Sequence, residues 1–176
     1  MHVLNLPADT PLSRGQQGFT AIELMVVVSI VAILAALAAP SFTPLIERWR
    51  VRSAIEDLTS TLYFARSEAI KRGGGITIDA SSGWNQGWKV THTLNGITTD
   101  LQYSAAPTKV NVDHSNIKSK IYVDRWGVFS ETSGGVSNPI DIVFYPENKS
   151  STDSSAVRLC ALGSRITQIK QGLACP

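Results

Sequence analysis

The sequence has little of what builds catalytic and metal sites. It contains only two cysteines and three histidines in 176 residues, and His2, His92 and His114 show no spacing that would complete a zinc site. No Ser-His-Asp or Cys-His arrangement stands out. The sequence therefore predicts no enzyme, no metal site and no cofactor. His92 and His114 lie in polar stretches, which predicts that both are exposed.

The chain also lacks a strong excess of charge. Its 16 Lys and Arg residues nearly balance 14 Asp and Glu residues, for a net charge of +2. Such a balance gives no general reason to expect nucleic acid or acidic partners. The length allows one globular domain preceded by an N-terminal helix.

Formal charge is absent from Leu24 to Ile46, and residues 24–39 are almost wholly apolar. Because a membrane span needs roughly 20 apolar residues, this stretch predicts one crossing. Glu23 lies at its start, and Glu47 and Arg48 follow it. A carboxylate inside a membrane segment is costly and by default indicates a function.

An ordinary secretory signal peptide is an alternative interpretation of the same region. Residues 36–38 (ALA) fit a small-residue cleavage pattern after an apolar stretch. Three observations argue against it. Arg14 is the only Lys or Arg of the preceding segment, Glu23 interrupts the apolar core, and the helical pattern continues past Ala38.

Segment 18–27 (GFTAIELMVV), followed by an alanine-rich run, resembles the N-terminal signature of type IV pilins and type II secretion pseudopilins. The resemblance implies that residues 1–18 are a leader which a prepilin peptidase removes between Gly18 and Phe19. Phe19 then becomes the methylated N-terminus. Glu23 becomes the fifth mature residue, and Pro40 falls where pilins carry a helix-kinking proline.

The resemblance also implies a location and an assembly role. The precursor would cross the bacterial inner membrane once, with its C-terminal domain in the periplasm, before joining a pilus fibre at the cell surface. Its partners would be major and minor pilins, the prepilin peptidase and the inner-membrane assembly platform. Glu23 would pair with the N-terminal ammonium of a neighbouring subunit.

A helical period continues beyond Pro40. Apolar residues recur at spacings of three and four, which predicts one continuous helix from Phe19 to Arg72 that Pro40 and Pro44 bend or loosen. Residues 19–46 would form its membrane and assembly half, and residues 47–75 its amphipathic half. Glycines 73–75 would end it.

After residue 75 the period changes to two. Seven short strands are predicted, at 76–78, 87–90, 121–123, 128–129, 140–144, 157–159 and 166–169. Asn95-Gly96 is a strong hairpin turn signal. The fold class is therefore α+β, a long helix packed on an antiparallel sheet domain at 76–176.

Three later segments narrow the resemblance to the GspH/FimT/FimU group. They are 65–72 (ARSEAIKR), 84–90 (WNQGWKV) and 123–127 (VDRWG), of which the last is similar to an aromatic-x-x-x-Gly turn with Val123 in place of the aromatic residue. The two tryptophans of the second segment, Trp84 and Trp88, are predicted to be core residues rather than a binding platform.

Cys160 and Cys175 are the two cysteines of the chain. Because the resemblance places this domain in an oxidising compartment, they are expected to form a disulfide. Closing a loop of about 16 residues stabilises the fold by roughly 3 kcal/mol on the chain-entropy model.

The tail from Ser154 onward has no acidic residue and carries Arg158, Arg165 and Lys170. FimT-type pilins are understood to bind DNA through a G-R-x-R-like tail motif. Segment 163–167 (GSRIT) keeps one arginine of it. Three functions follow from the resemblance: a minor pilin of type IV pilus assembly, a DNA-binding minor pilin for natural transformation, and a minor pseudopilin of type II secretion.

Overall fold

The computed structural model describes residues 18–38, 42–135, 137–170 and 172–175. The chain divides into two units, residues 1–41 and 42–176. Helix α1 (Ala21–Ala38) belongs to the first unit. The second unit contains helix α2 (Thr43–Arg72) and the strands. Most of the predicted leader, residues 1–17, and the predicted kink at Pro40 lie outside the described residues.

The described residues form two helices where the sequence predicted one. Helix α1 ends at Ala38 and helix α2 begins at Thr43. Pro44 lies in the first turn of α2. A proline there disrupts no hydrogen bond within the helix, because the first backbone N–H groups have no partner in the helix in any case. Pro44 thus lies at the start of α2, and the predicted effect of the prolines on one continuous helix depends on residues 39–41, which lie outside the described residues.

Helix α2 buries one face, as its apolar period predicts. Its fully or almost fully buried residues recur at helical spacing: Val51, Ile55, Leu58, Leu62, Ala65 and Ala69. This face packs against strands of both sheets described below. The helix ends where Gly73 adopts a left-handed conformation (φ 78°) and the N–H of Gly74 donates to the carbonyl of Ala69 at 2.8 Å. The predicted glycine C-cap is confirmed.

Within the described residues, nine strands form two antiparallel sheets. The first sheet has the order β3-β2-β1-β5-β6 and the second the order β4-β7-β8-β9. The strand bounds are β1 Ile76–Asp79, β2 Trp88–Leu94, β3 Ile97–Ser104, β4 Val110–His114, β5 Lys120–Val123, β6 Phe129–Ser130, β7 Ile140–Pro146, β8 Val157–Leu162 and β9 Arg165–Lys170. The α+β class with antiparallel pairing is confirmed.

The Asn95-Gly96 turn joins β2 to β3. Both residues have positive φ (52° and 80°), and Leu94 pairs with Ile97 across a two-residue loop. The sequence did not predict β3 and β4. Strand β3 is an exposed edge strand of mainly polar residues, so it lacks the apolar alternation that marks a half-buried strand. Strand β4, also at a sheet edge, alternates but is only five residues long.

The two tryptophans of segment 84–90 are core residues, as predicted. Trp84 is 6% exposed and Trp88 2% exposed, and their ring centroids lie 6.2 Å apart. The indole N–H of Trp84 donates to the carbonyl of Lys118 at 2.7 Å. The indole N–H of Trp88 donates to the hydroxyl of Thr61 on α2 at 3.1 Å. Each buried ring therefore has a partner for its polar atom, which fixes the ring in the core.

Candidate processing and assembly site

The residues around the predicted cleavage site precede a capped helix. Gly18, Phe19 and Thr20 are not helical, and α1 begins at Ala21. The hydroxyl of Thr20 accepts a hydrogen bond from the backbone N–H of Glu23 at 3.2 Å. Thr20 therefore acts as the N-cap of α1. Sequence reasoning missed this role, although Thr-x-x-Glu before an apolar run is the capping-box signal.

The N-cap at Thr20 sets where α1 begins relative to the peptide bond between Gly18 and Phe19. The side chain of Phe19 is 84% exposed. Because the helix starts only after Thr20, this peptide bond is not tied into helical hydrogen bonding. An exposed, non-helical backbone is the form in which proteases cleave a chain. The bond between Gly18 and Phe19 therefore lies outside the helix that follows it.

Glu23 is the third residue of α1 and is exposed. Its carboxylate lies in the first turn, where the positive end of the helix dipole stabilises a negative charge. Within the described residues Glu23 forms no ion pair. Its backbone N–H donates the hydrogen bond to Thr20.

The remainder of α1 is apolar except for Ser29, whose hydroxyl donates to the carbonyl of Met25 at 2.8 Å. Its large exposed side chains are Ile22, Leu24, Met25, Val26, Val27, Val28, Ile30, Val31, Ile33, Leu34 and Leu37. A helix that is apolar on every side is stable where its surroundings are apolar. Among the residues described, none of the helices combines the length and the hydropathy of a membrane span.

The disulfide between Cys160 and Cys175 is present, with Cα atoms 5.6 Å apart and a sequence separation of 15. Cys160 lies in β8 and Cys175 near the C-terminus. The link therefore holds the end of the chain against the second sheet. Asp141 approaches both sulfur atoms, but sulfurs joined in a disulfide are not the thiolates that bind metals.

The three basic tail residues do not form one patch. The guanidinium of Arg158 lies 3.2 Å from the carboxylate of Asp141. Arg165 and Lys170 are the two ends of β9, five positions apart, so alternation places their side chains on opposite faces. Arg165 lies near the disulfide, whereas Lys170 lies near Arg48 and Arg52 of α2. DNA binding by these three residues stays an untested prediction. Such binding would need the three side chains on one surface, and they do not share one.

His114 is not exposed as predicted: it is 6% exposed. It stacks on Trp84 at a centroid distance of 6.1 Å, and its Nε2 lies 3.5 Å from Oε1 of the buried Glu131. Asn116 donates to both, through its backbone N–H to Nδ1 of His114 and through its side chain to Glu131. Burial lowers the pKa of His114, although the charges of Glu131 and Asp141 act in the opposite direction.

Two family models match the chain. The model described as "Type II transport protein GspH" matches residues 54–169. The model described as "Prokaryotic N-terminal methylation motif" matches residues 13–39, which include Gly18, Phe19 and Glu23. The first match covers α2 and all nine strands except for the start of α2 and the last residue of β9.

Curated relatives match over part of their length. A "Fimbrial protein" of Pseudomonas aeruginosa is 41% identical over 68 residues, which is 39% of this chain and 44% of the relative. The "Fimbrial protein EcpB" of Eikenella corrodens is 40% identical over 66 residues, which is 38% of this chain and 41% of the relative. The chain thus spans less than half the length of the curated relatives it matches.

Among solved structures, the type IV minor pilin FimU of Pseudomonas aeruginosa has the same fold. In one crystal form the TM-score is 0.57 at 21% identity, over 68% of this chain and 88% of FimU. In a second crystal form it is 0.55 at 20% identity. The GspH model matches about two thirds of the residues of this chain. The chain therefore belongs to the GspH family, with the fold of a type IV minor pilin and an N-terminal methylation motif.

Proposed function

We propose that this protein is a minor pilin subunit that takes part in priming and assembly of a type IV pilus. One observation carries the proposal: an apolar helix with a single carboxylate in its first turn follows a non-helical Gly18-Phe19 bond, in a chain with the pilin fold. The fold and the family are those of structural proteins rather than of enzymes.

In this proposal the prepilin peptidase cleaves after Gly18 and Phe19 becomes the methylated N-terminus. The new ammonium group and Glu23 have opposite charges and lie four residues apart. They can therefore pair between neighbouring subunits when α1 leaves the bilayer for the fibre. An unpaired carboxylate in hydrocarbon costs at least about 2.5 kcal/mol. Pairing removes that cost and sets the axial position of the subunit.

The proposed route begins with single-pass insertion into the inner membrane, with the second unit in the periplasm. The subunit then contacts the assembly platform and joins other minor pilins and the major pilin in the fibre. The resemblance of segments 65–72 and 84–90 to FimU-type proteins supports a priming role for this subunit. The fimbrial relatives support a pilus rather than a secretion system.

Deletion of the gene tests the proposal. We expect loss of most major pilin from sheared surface fractions on an immunoblot, with cellular major pilin unchanged, and recovery when the intact gene is restored. Unchanged surface pilin would contradict an assembly role. In that case secretion of exoproteins and uptake of labelled DNA, measured in the same strain, would separate the two alternative functions.

A further inference from the structure

A basic groove lies between the first half of α2 and strand β9. Its volume is about 590 Å³. Three exposed cations line it, Arg48 and Arg52 from α2 and Lys170 from β9, together with residues of 154–157. Among the described residues that line this groove there is no carboxylate. The basic groove could not be predicted from sequence spacing, because Lys170 lies 118 positions after Arg52.

The cations of this basic groove are largely uncompensated. Within the part of the chain that the structure describes, neither Arg48 nor Lys170 forms an ion pair. Arg52 contacts Glu56 at 2.9 Å in an exposed pair on the same helix, and such pairs are weak.

Two acidic residues adjacent in sequence to residues of the basic groove, Glu47 and Asp153, have other partners. Glu47 lies 3.2 Å and Asp153 3.6 Å from the ammonium of Lys149. The carboxylate of Asp153 also accepts hydrogen bonds from Ser155, which lower its pKa. The groove therefore keeps a net positive charge that suits an anion.

The start of α2 is exposed and apolar. Phe42, Leu45, Ile46 and Trp49 are each 45% to 68% exposed, and Trp49 is adjacent in sequence to Arg48. Tryptophan and basic residues that follow an apolar segment are typical of the interface between a membrane and water.

We propose that this basic groove binds the phosphodiester headgroup of an acidic phospholipid. Arg48 and Lys170 would contact the phosphate from the two sides of the groove. A DNA backbone offers the same phosphodiester chemistry, but it does not account for the exposed apolar residues at the start of α2. The proposal rests on the proposed function, since it takes α1 to be anchored in the membrane.

The test uses the full chain in micelles of a neutral detergent, so that α1 is covered in every variant. Dihexanoylphosphatidylglycerol and dihexanoylphosphatidylcholine are titrated separately at low salt, and binding is measured by calorimetry. Arg48→Gln and Lys170→Gln remove groove cations. Arg50→Gln is the matched control, because Arg50 lies on the same helix but lines a different groove, with Asp57.

We expect phosphatidylglycerol to bind more tightly than phosphatidylcholine, and each groove variant to weaken its binding about fivefold. The control should bind as the wild type does, and circular dichroism should show the same melting for all variants. Equal binding of both lipids would overturn the proposal, as would equal loss in the control. Tighter binding of a duplex DNA oligonucleotide, lost in the same variants, would assign the groove to nucleic acid instead.

This titration requires no pilus assembly. A negative lipid result with loss of surface pilin on gene deletion would therefore overturn the groove proposal alone. Lipid binding with normal surface pilin would overturn the assembly proposal alone.

Discussion

The indole N–H of Trp88 donates to the hydroxyl of Thr61 at 3.1 Å, between the first sheet and α2. Both residues are almost completely buried, and the Thr61 hydroxyl lies 2.9 Å from the carbonyl of Asp57, to which it donates. The first sheet is thereby attached to the helix by a directional contact as well as by apolar packing.

Thr61→Val should lower the free energy of unfolding by about 1–3 kcal/mol, because it leaves a buried indole N–H without an acceptor at nearly constant volume. Chemical denaturation of the full chain in detergent measures the change, with the exposed Ser60→Ala as control. A double-mutant cycle with Trp88→Phe isolates the bond. If the effects of the two substitutions on the free energy of unfolding are strictly additive, the hydrogen bond between Trp88 and Thr61 contributes nothing to stability.

Gly18→Val should block removal of the leader, since the bulky side chain stands at the proposed cleavage site. We expect intact-mass spectrometry to find the full precursor, heavier than the mature chain by residues 1–18 and lacking the N-terminal methyl group. Gly15→Val is a control in the same segment and should be processed normally. A mature N-terminus other than Phe19 in the wild-type chain would contradict the assignment.

Glu23→Ala should leave cleavage unchanged but reduce incorporation into sheared fibres at least about tenfold, because each 1.4 kcal/mol of lost pairing is a factor of ten. Glu23→Asp, which keeps the charge on a shorter side chain, should retain part of the incorporation into fibres. Immunoblots of membrane and sheared fractions give both quantities. Normal incorporation of the alanine variant would disprove the pairing.

His114 should make stability depend on pH. Burial lowers its pKa in the folded state below the ordinary value of 6.5. The unfolded chain therefore binds the proton first as the pH falls. The stabilisation is fully present above about pH 6.5 and declines as the pH falls toward the folded pKa, with a slope of at most about 1.4 kcal/mol per pH unit.

Glu131, Asp141 and Lys118 are the charged groups that act on His114, so the comparison needs a variant that removes His114 alone. Denaturation midpoints of wild type and His114→Gln between pH 5 and 8 provide the comparison. Gln102→Asn, which replaces one non-titrating side chain of β3 with another, is the control and should keep the wild-type pH dependence. The same dependence in all three chains would exclude His114 as its source.

The N-terminal signature could be recognised in sequence because it is local. Gly18, Phe19 and Glu23 lie within six residues, and their relation needs only the start of one helix. The buried face of α2 and the two-residue Asn95-Gly96 turn were likewise predictable, since helical periodicity and positive φ are properties of short segments. The position of Pro44 in the first turn of α2 was not predicted, because a proline is equally compatible with a kink and with a first helical turn.

The sequence by itself determined the fold class, the apolar helix with its carboxylate, the helix end at Gly73 and the pairing of two lone cysteines. The tertiary structure alone decided the division into two sheets, the burial of His114 beside Glu131, and the approach of Lys170 to Arg48 and Arg52. The physical reason is that burial and charge clustering depend on strand pairing over long sequence separations. Lys170 meets Arg48 and Arg52 only because β9 lies at a sheet edge beside α2.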